Sequence, residues 1–246
     1  MAETFTGKLF WITGASGALG KATALHLASQ GATVIASGRS IAQTDFGDAH
    51  DITRLPLDVR DDAAVRAAVD DILARHGRID GLVTSTNVGA FGDFLDLTDE
   101  DWQKVLDAKL LGTVRPVRAV VPHLVAQGSG AIVLIGGRGG IDPPPQHFPG
   151  SSVNAALDLL AIGLGRRFGP EGVRTNVVAP GPILSPRFAG LEATKAGTAR
   201  YNTASAIPGP GLPDDVAGAV AFLLSDAARF VNGTSLLVDG GGPPYV

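Results

Sequence analysis

The chain has 246 residues, 45% of them hydrophobic, with 20 Lys and Arg against 24 Asp and Glu, a formal net charge of −4. That size and apolar content suit a single α/β domain with a full core, and the scattered basic residues form no block that would mark a nucleic-acid or membrane-surface binder. No cysteine is present, which excludes disulfides, thiolate catalysis and cysteine-bound metal.

No apolar run reaches the ~18 residues of a membrane span. The first six residues carry neither a basic start nor a signal-peptide core, so a cytoplasmic protein is expected. Apolar, β-rich runs alternate with helical stretches along the whole length. The spacing predicts strands at 9–12, 33–36, 53–57, 82–85, 131–135, 174–179 and 235–238, and helices at 18–30, 63–76, 99–121, 152–168 and 214–224. Continuous apolar strands separated by helices predict a parallel sheet covered on both faces. Thr98 and Asp101 form a capping box at the start of the third helix.

Between the first strand and the first helix stands Thr13-Gly14-Ala15-Ser16-Gly17-Ala18-Leu19-Gly20. Strand, glycine-rich turn and helix are the context of a dinucleotide fingerprint. Gly14 would allow the tight turn, Gly17 the close approach of a pyrophosphate, and Gly20 the packing of helix on sheet. The phosphates would sit at the helix N-terminus, where free N–H groups and the dipole favour an anion. The second strand ends in Gly38-Arg39-Ser40. A carboxylate in the place of Gly38 would bind the ribose of NAD(H); glycine followed by a guanidinium favours the 2′-phosphate of NADP(H) instead. The stretch from Arg39 to Asp58 is short and turn-rich, so no long crossover helix is expected there. Residues 184–213 are rich in Gly, Ala, Pro and Thr and too long for an ordinary connection, and are expected to form a lid over substrate. Leu184, Pro186, Phe188, Leu191, Tyr201 and Ile207, with Arg187, Lys195 and Arg200, would give it an apolar lining with basic residues nearby, suited to a hydrophobic or aromatic molecule bearing an acidic group.

Together, residues 13–20, Gly38-Arg39, Leu57-Asp58-Val59, Val178-Ala179-Pro180-Gly181-Pro182-Ile183 and Val238-Asp239-Gly240-Gly241 resemble the short-chain dehydrogenase/reductase superfamily, in order and over essentially the whole chain. The glycine spacing is closer to the family's extended branch, the length and tail to its classical branch. The resemblance implies a doubly wound, Rossmann-type parallel sheet of about seven strands, a nicotinamide cofactor and a homo-oligomer, a tetramer or a dimer. It implies cofactor contacts from Gly14, Ser16, Gly17, Ala18, Leu19, Gly20, Gly38, Arg39, Ser40, Asp58, Val59, Asn87, Asn154, Pro180, Gly181 and Ile183. Asp58 and Val59 would lie at the adenine; Pro180, Gly181 and Ile183 would lie at the nicotinamide.

The family's proton chemistry uses Tyr-x-x-x-Lys with a preceding Ser, and an Asn on the helix before. Aligned on Trp102 to Gly112, on the strand at 131–135 and on the helix leading to Asn176, these positions read Lys109 for Asn, Gly137 for Ser, Gly150 for Tyr and Asn154 for Lys. The only tyrosines are Tyr201 and Tyr245. The family's Asn-Asn-Ala-Gly after the fourth strand reads Thr84-Ser85-Thr86-Asn87. Lys109 and Asn154 look like an exchange of the family's Asn and Lys. If their side chains meet, Asn154 would hold the ribose hydroxyls, and Lys109 would serve as the cation or general acid. His147 would donate a proton near neutral pH, with Arg138, Ser151 and Ser152 in the segments that line such a pocket. This first reading is an NADP(H)-dependent oxidoreductase with an atypical site, acting on a small, apolar or aromatic substrate such as an iminium or activated alkene. A non-redox cyclase, lyase or isomerase on the same fold is the second. A silent cofactor-sensing or partner subunit is the third. The intact cofactor loop, Arg39 and the lid rank the first highest.

Overall fold

The computed structural model describes residues 5–49, 51–186 and 205–242. Seven strands, β1 (Leu9–Thr13), β2 (Thr33–Gly38), β3 (Ile52–Pro56), β4 (Gly81–Thr84), β5 (Gly130–Ile135), β6 (Val173–Pro180) and β7 (Ser235–Val238), pair in parallel in the order β3-β2-β1-β4-β5-β6-β7. β1 and β4 are buried at every position, as a strand must be when both sheet faces are covered. The chain winds outward from β1 to β3, then returns to place β4 on the other side of β1. That reversal opens a crevice at the C-terminal ends of β1 and β4, where ligands bind in doubly wound sheets.

The helices are α1 (Ala18–Ser29), α2 (Asp62–His76), α3 (Asp99–Val105), α4 (Gly112–Gln127), α5 (Phe148–Phe168) and α6 (Pro213–Leu224). Ala24 and Leu27 of α1 and Val216 and Val220 of α6 pack on one face of the sheet. Val65 and Ile72 of α2, Val120 and Leu124 of α4, and Val153 and Leu157 of α5 pack on the other. Buried Trp11 donates its indole N–H to Ser37 Oγ at 2.8 Å, tying β1 to β2. Asp61 and Thr98 cap α2 and α3, the latter with the expected capping box to Asp101.

The expected helix at 99–121 departs from the structure in two ways. It is interrupted by a π-helical turn, Leu106–Leu111, and it runs on to Gln127, where Gly128 closes it at φ 71°. Pro122 does not stop α4, because Pro122 and Arg118, whose carbonyl it leaves without a helical donor, are both exposed. α5 begins four residues before the expected start, with Pro149 in its first turn, where the missing N–H costs no bond. Only a short 3₁₀ turn, Ile41–Gln43, lies between β2 and β3, as expected. Of the expected lid, residues 187–204 lie outside the described residues; its stem is closed where Leu184 N–H donates to Gly211 O at 2.8 Å and Gly211 N–H to Pro182 O at 3.0 Å. Among the described residues no helix is long and apolar enough to cross a membrane, and no cluster of His, Cys, Asp and Glu could hold a metal ion.

Strands β1 and β4 are clasped at their N-terminal ends by buried Asp80. Its Oδ2 accepts the Leu9 N–H at 2.8 Å and Arg78 Nε at 2.9 Å. Asp80→Ala would leave the Leu9 amide without its acceptor in a buried position. It is expected to cost about 2–4 kcal/mol, read as a lowered urea midpoint at unchanged slope.

Candidate active site

The crevice is a cleft of about 890 Å³. One half is built from the ends of β1, β2 and the loop after β3. Gly14 turns the chain off β1 at φ 72°, and a Cβ there would stand 2.5 Å from the Ser85 carbonyl carbon. A Cβ at Gly20 would stand 2.6 Å from Gly14 O, so α1 rests directly on the turn. Gly20 thus supports the loop without lining the cleft. No side chain caps α1; its first-turn amides, beside Gly17, Ala18 and Leu19 of the cleft wall, are left for an anion.

At the end of β2 a Cβ on Gly38 would fall onto Ser16 Oγ. The ribose-binding carboxylate of an NAD site therefore has no room unless Ser16 moves. Arg39 and Ser40 are exposed on the adjoining rim. Asp58 and Val59 also line the cleft, but the Asp58 carboxylate is taken by Arg60, with Nε at 3.0 Å from Oδ1 and Nη2 at 2.6 Å from Oδ2. That guanidinium, with Arg39 further off, holds the Asp58 carboxyl below the usual carboxylate range against the opposing effect of burial. Ser16 Oγ and Thr86 Oγ1 are buried beside the cleft with no hydrogen-bond partner among the described residues. An uncapped helix start, a strand end at Gly38 with no carboxylate and unsatisfied hydroxyls fit the phosphate-and-ribose half of a dinucleotide.

The other half holds the expected catalytic positions. The π-helical turn carries Lys109 inward, where it is 4% exposed. Its Nζ donates to Asn154 Oδ1 on α5, itself 3% exposed, and to Gly136 O at 3.3 Å. The two side chains thus meet, with Asn154 as acceptor. Asp158, one turn further along α5, is raised by burial, with the Ser235 hydroxyl and the charge of Lys109 working against that shift. Gly137 is required by this arrangement, since a Cβ there would stand 2.8 Å from Asn154 Nδ2.

Gly150 and His147 also belong together. His147 is the residue before the first turn of α5, and its ring folds back over that turn. A Cβ on Gly150 would overlap the ring at Nε2 and stand 2.5 Å from Cε1. The imidazole occupies the volume a side chain at position 150 would take. It is stacked on Phe91 at 4.5 Å between centroids and 11° between planes, and Nδ1 lies 3.4 Å from Ser151 Oγ. Arg138 lines the same end, with Nε 3.7 Å from Asp142 Oδ2. Asn87, Pro180, Gly181 and Ile183 complete the wall. Ser152 is exposed on the outer side of α5 and takes no part. Phe91 and Arg60 escaped sequence reasoning. Asp58-x-Arg60 is a local pattern that signals its ion pair; nothing in the sequence signals the stacking of Phe91.

A family model described as Enoyl-(Acyl carrier protein) reductase matches residues 14–242. The mouse protein Dehydrogenase/reductase SDR family member 4 is 31% identical over 97% of this chain and 88% of its own length. The 3-oxoacyl-(acyl-carrier-protein) reductase FabG of Thermotoga maritima is 32% identical over 96% of this chain and 97% of its own. Among solved structures, a gluconate 5-dehydrogenase from Burkholderia cenocepacia in complex with NADP and tartrate superposes with a TM-score of 0.88 at 28% identity, covering 96% of this chain and 95% of the other.

Proposed function

Because the chain belongs to the short-chain dehydrogenase/reductase superfamily of oxidoreductases, we propose that it transfers hydride between NADP(H) and a small, apolar or aromatic substrate through an atypical site in which Lys109, Asn154 and His147 replace the family's phenol-based set. The observation that carries this reading is the buried Lys109–Asn154 hydrogen bond inside the cleft, where the resemblance puts the Asn and Lys in reversed order. The bound nicotinamide would supply or accept the hydride. The first-turn amides of α1 hold the pyrophosphate, and Arg39 the 2′-phosphate. Asn154 holds the ribose through its amide, its Oδ1 being fixed by Lys109. The Lys109 ammonium stabilises negative charge that develops on the substrate as hydride adds, an effect strengthened by its exclusion from water. His147 holds the proton at the same end of the cleft. A solved neighbour with NADP bound supports the cofactor assignment. Ile135, Val88, Pro144 and Ile183 around the reacting end support an apolar substrate. With no phenol to donate, an activated alkene, on which hydride addition develops the negative charge that Lys109 faces, suits the site better than an ordinary ketone.

Calorimetric titration tests the cofactor half. NADPH is expected to bind at least about tenfold more tightly than NADH, as charge-assisted bonds to a phosphate imply. Arg39→Ala is expected to weaken NADPH about ten- to a hundredfold and leave NADH within about twofold. Equal affinity of the native protein for the two would overturn the assignment.

A further inference from the structure

We propose that Arg115 is a positioning residue for Lys109, acting through the π-helical turn that carries the lysine. The inference rests on the reading of Lys109 as the cation of the reaction and adds the residue that keeps it aimed.

A π-helical turn is a rare departure from the α-helix, so its neighbours must favour it over a regular turn. This one spans Leu106–Leu111 and is closed where the Gly112 N–H donates to Asp107 O. Two contacts on one side hold it. Gly112 lies on the wall formed by the loop after β3: a Cβ there would stand 2.8 Å from Val59 Cγ2 and 3.4 Å from Thr86 Oγ1. Arg115, in the first turn of α4, supplies the other contact. Its side chain is 16% exposed. Nη2 donates to Asp107 Oδ1 at 2.9 Å, and Nη1 donates to Val59 O at 3.3 Å and to Asp107 O at 3.4 Å.

The guanidinium thus grips Asp107 by its carbonyl and its carboxylate and ties it to the loop after β3. A planar fork of fixed N–H donors spans such a set of acceptors, where an ammonium offers a single point of charge. Asp62, also close to Arg115, is held by Arg118 at 2.7 Å and by Arg66. Lys109, two residues after Asp107, leaves the other side of the turn to reach Asn154 Oδ1 and Gly136 O. A clasp on one side therefore sets the direction of the side chain on the other. Val59 lines the cleft where the adenine is expected, so the same guanidinium fixes the lysine in the frame of the cofactor half.

The test is the reactivity of the Lys109 amine. Buried Lys109 and exposed Lys104 lie five residues apart, and a pulse of acetic anhydride on the folded protein, read by tandem mass spectrometry, gives their relative rates. In the native protein Lys109 is expected to react at least about tenfold more slowly than Lys104. Arg115→Ala is expected to raise the Lys109 rate at least about tenfold, with Lys104 staying within about twofold. Arg115→Lys, which keeps the charge and loses the fork, is expected to raise it at least about threefold, and serves where the alanine variant fails to fold. Asp80→Ala lowers stability from the N-terminal ends of β1 and β4 and is expected to leave the ratio within about twofold. Single-turnover hydride transfer in Arg115→Ala is expected to slow by about a hundredfold, the effect of a reacting group displaced by about an ångström. Lys109 labelling that stays within about twofold of native in the Arg115 variants, or that rises as much in Asp80→Ala, would overturn the proposal. Raised labelling with an unchanged rate of transfer would leave the clasp standing and overturn instead the reading of Lys109 as the cation.

Discussion

Lys109→Met is expected to lower the turnover of hydride transfer by about a thousandfold while the dissociation constant of NADPH stays within about threefold. Methionine keeps the length and most of the volume of the lysine stem, so the core around the π-helical turn stays filled and the loss reports the ammonium. The substitution leaves Asn154 Oδ1, buried at the floor of the cleft, without the donor it now has. A stability loss of about 1–3 kcal/mol is expected alongside. Single-turnover kinetics separates the two effects, because the fraction folded scales the amplitude and the chemistry sets the rate. If the rate in Lys109→Met equals that of the native protein, the cation has no part in the reaction and the exchange of Asn and Lys is a packing arrangement only.

Gly150→Ala is the second large effect, and it works through a neighbour. One added carbon at position 150 overlaps the His147 ring, so the imidazole must leave its place against Phe91 and Ser151. Turnover is expected to fall by about a hundredfold, the usual contribution of a positioned proton donor. Overpacking of the first turn of α5 is expected to cost about 1–3 kcal/mol. His147→Gln is the companion variant: it removes the imidazole without forcing the helix, so turnover should fall similarly while the urea midpoint changes little. Retention of turnover within about threefold in both variants would remove His147 from the chemistry.

The sheet was legible because its strands are continuous apolar runs, and β7 coincides with the expected 235–238. Termini were less so. The helical spacing puts the start of α5 at 152, although Phe148-Pro149 carries the first-turn proline that marks it, and the end of α4 before Pro122, although Gly128 is the stronger stop. The dinucleotide half of the cleft follows from local chemistry: glycines at a turn, an arginine at a strand end. The reacting half does not, because it depends on packing between segments far apart in the chain. That Lys109 reaches Asn154 across 45 residues depends on the π-helical turn, which has no sequence signature. That an imidazole fills the room left by a glycine three residues later is visible only once the ring is placed. Arg138 stands out in the sequence as one side chain among four glycines, yet its burial comes from α5 pressing on those glycines.

The π-helical turn at Leu106–Leu111 has a consequence for how this site can be gained or lost. Such a turn holds one residue more than the α-helical turn it interrupts. The wide turn absorbs that residue, so shortening the segment by one position would let α3 run smoothly into α4 with the two halves still in phase, while residues of the turn itself would shift round the helix by up to about 100°, the advance of one residue. The apolar stripe that α4 lays on the sheet would hold its own phase, and the misfit would fall on the segment around Lys109, swinging it off Asn154. A single-codon deletion could thus silence the cleft in a protein that still assembles its sheet, and a single-codon insertion in an uninterrupted helix could create the lysine's present aim. Chemistry here is separated from architecture by one step of helical phase.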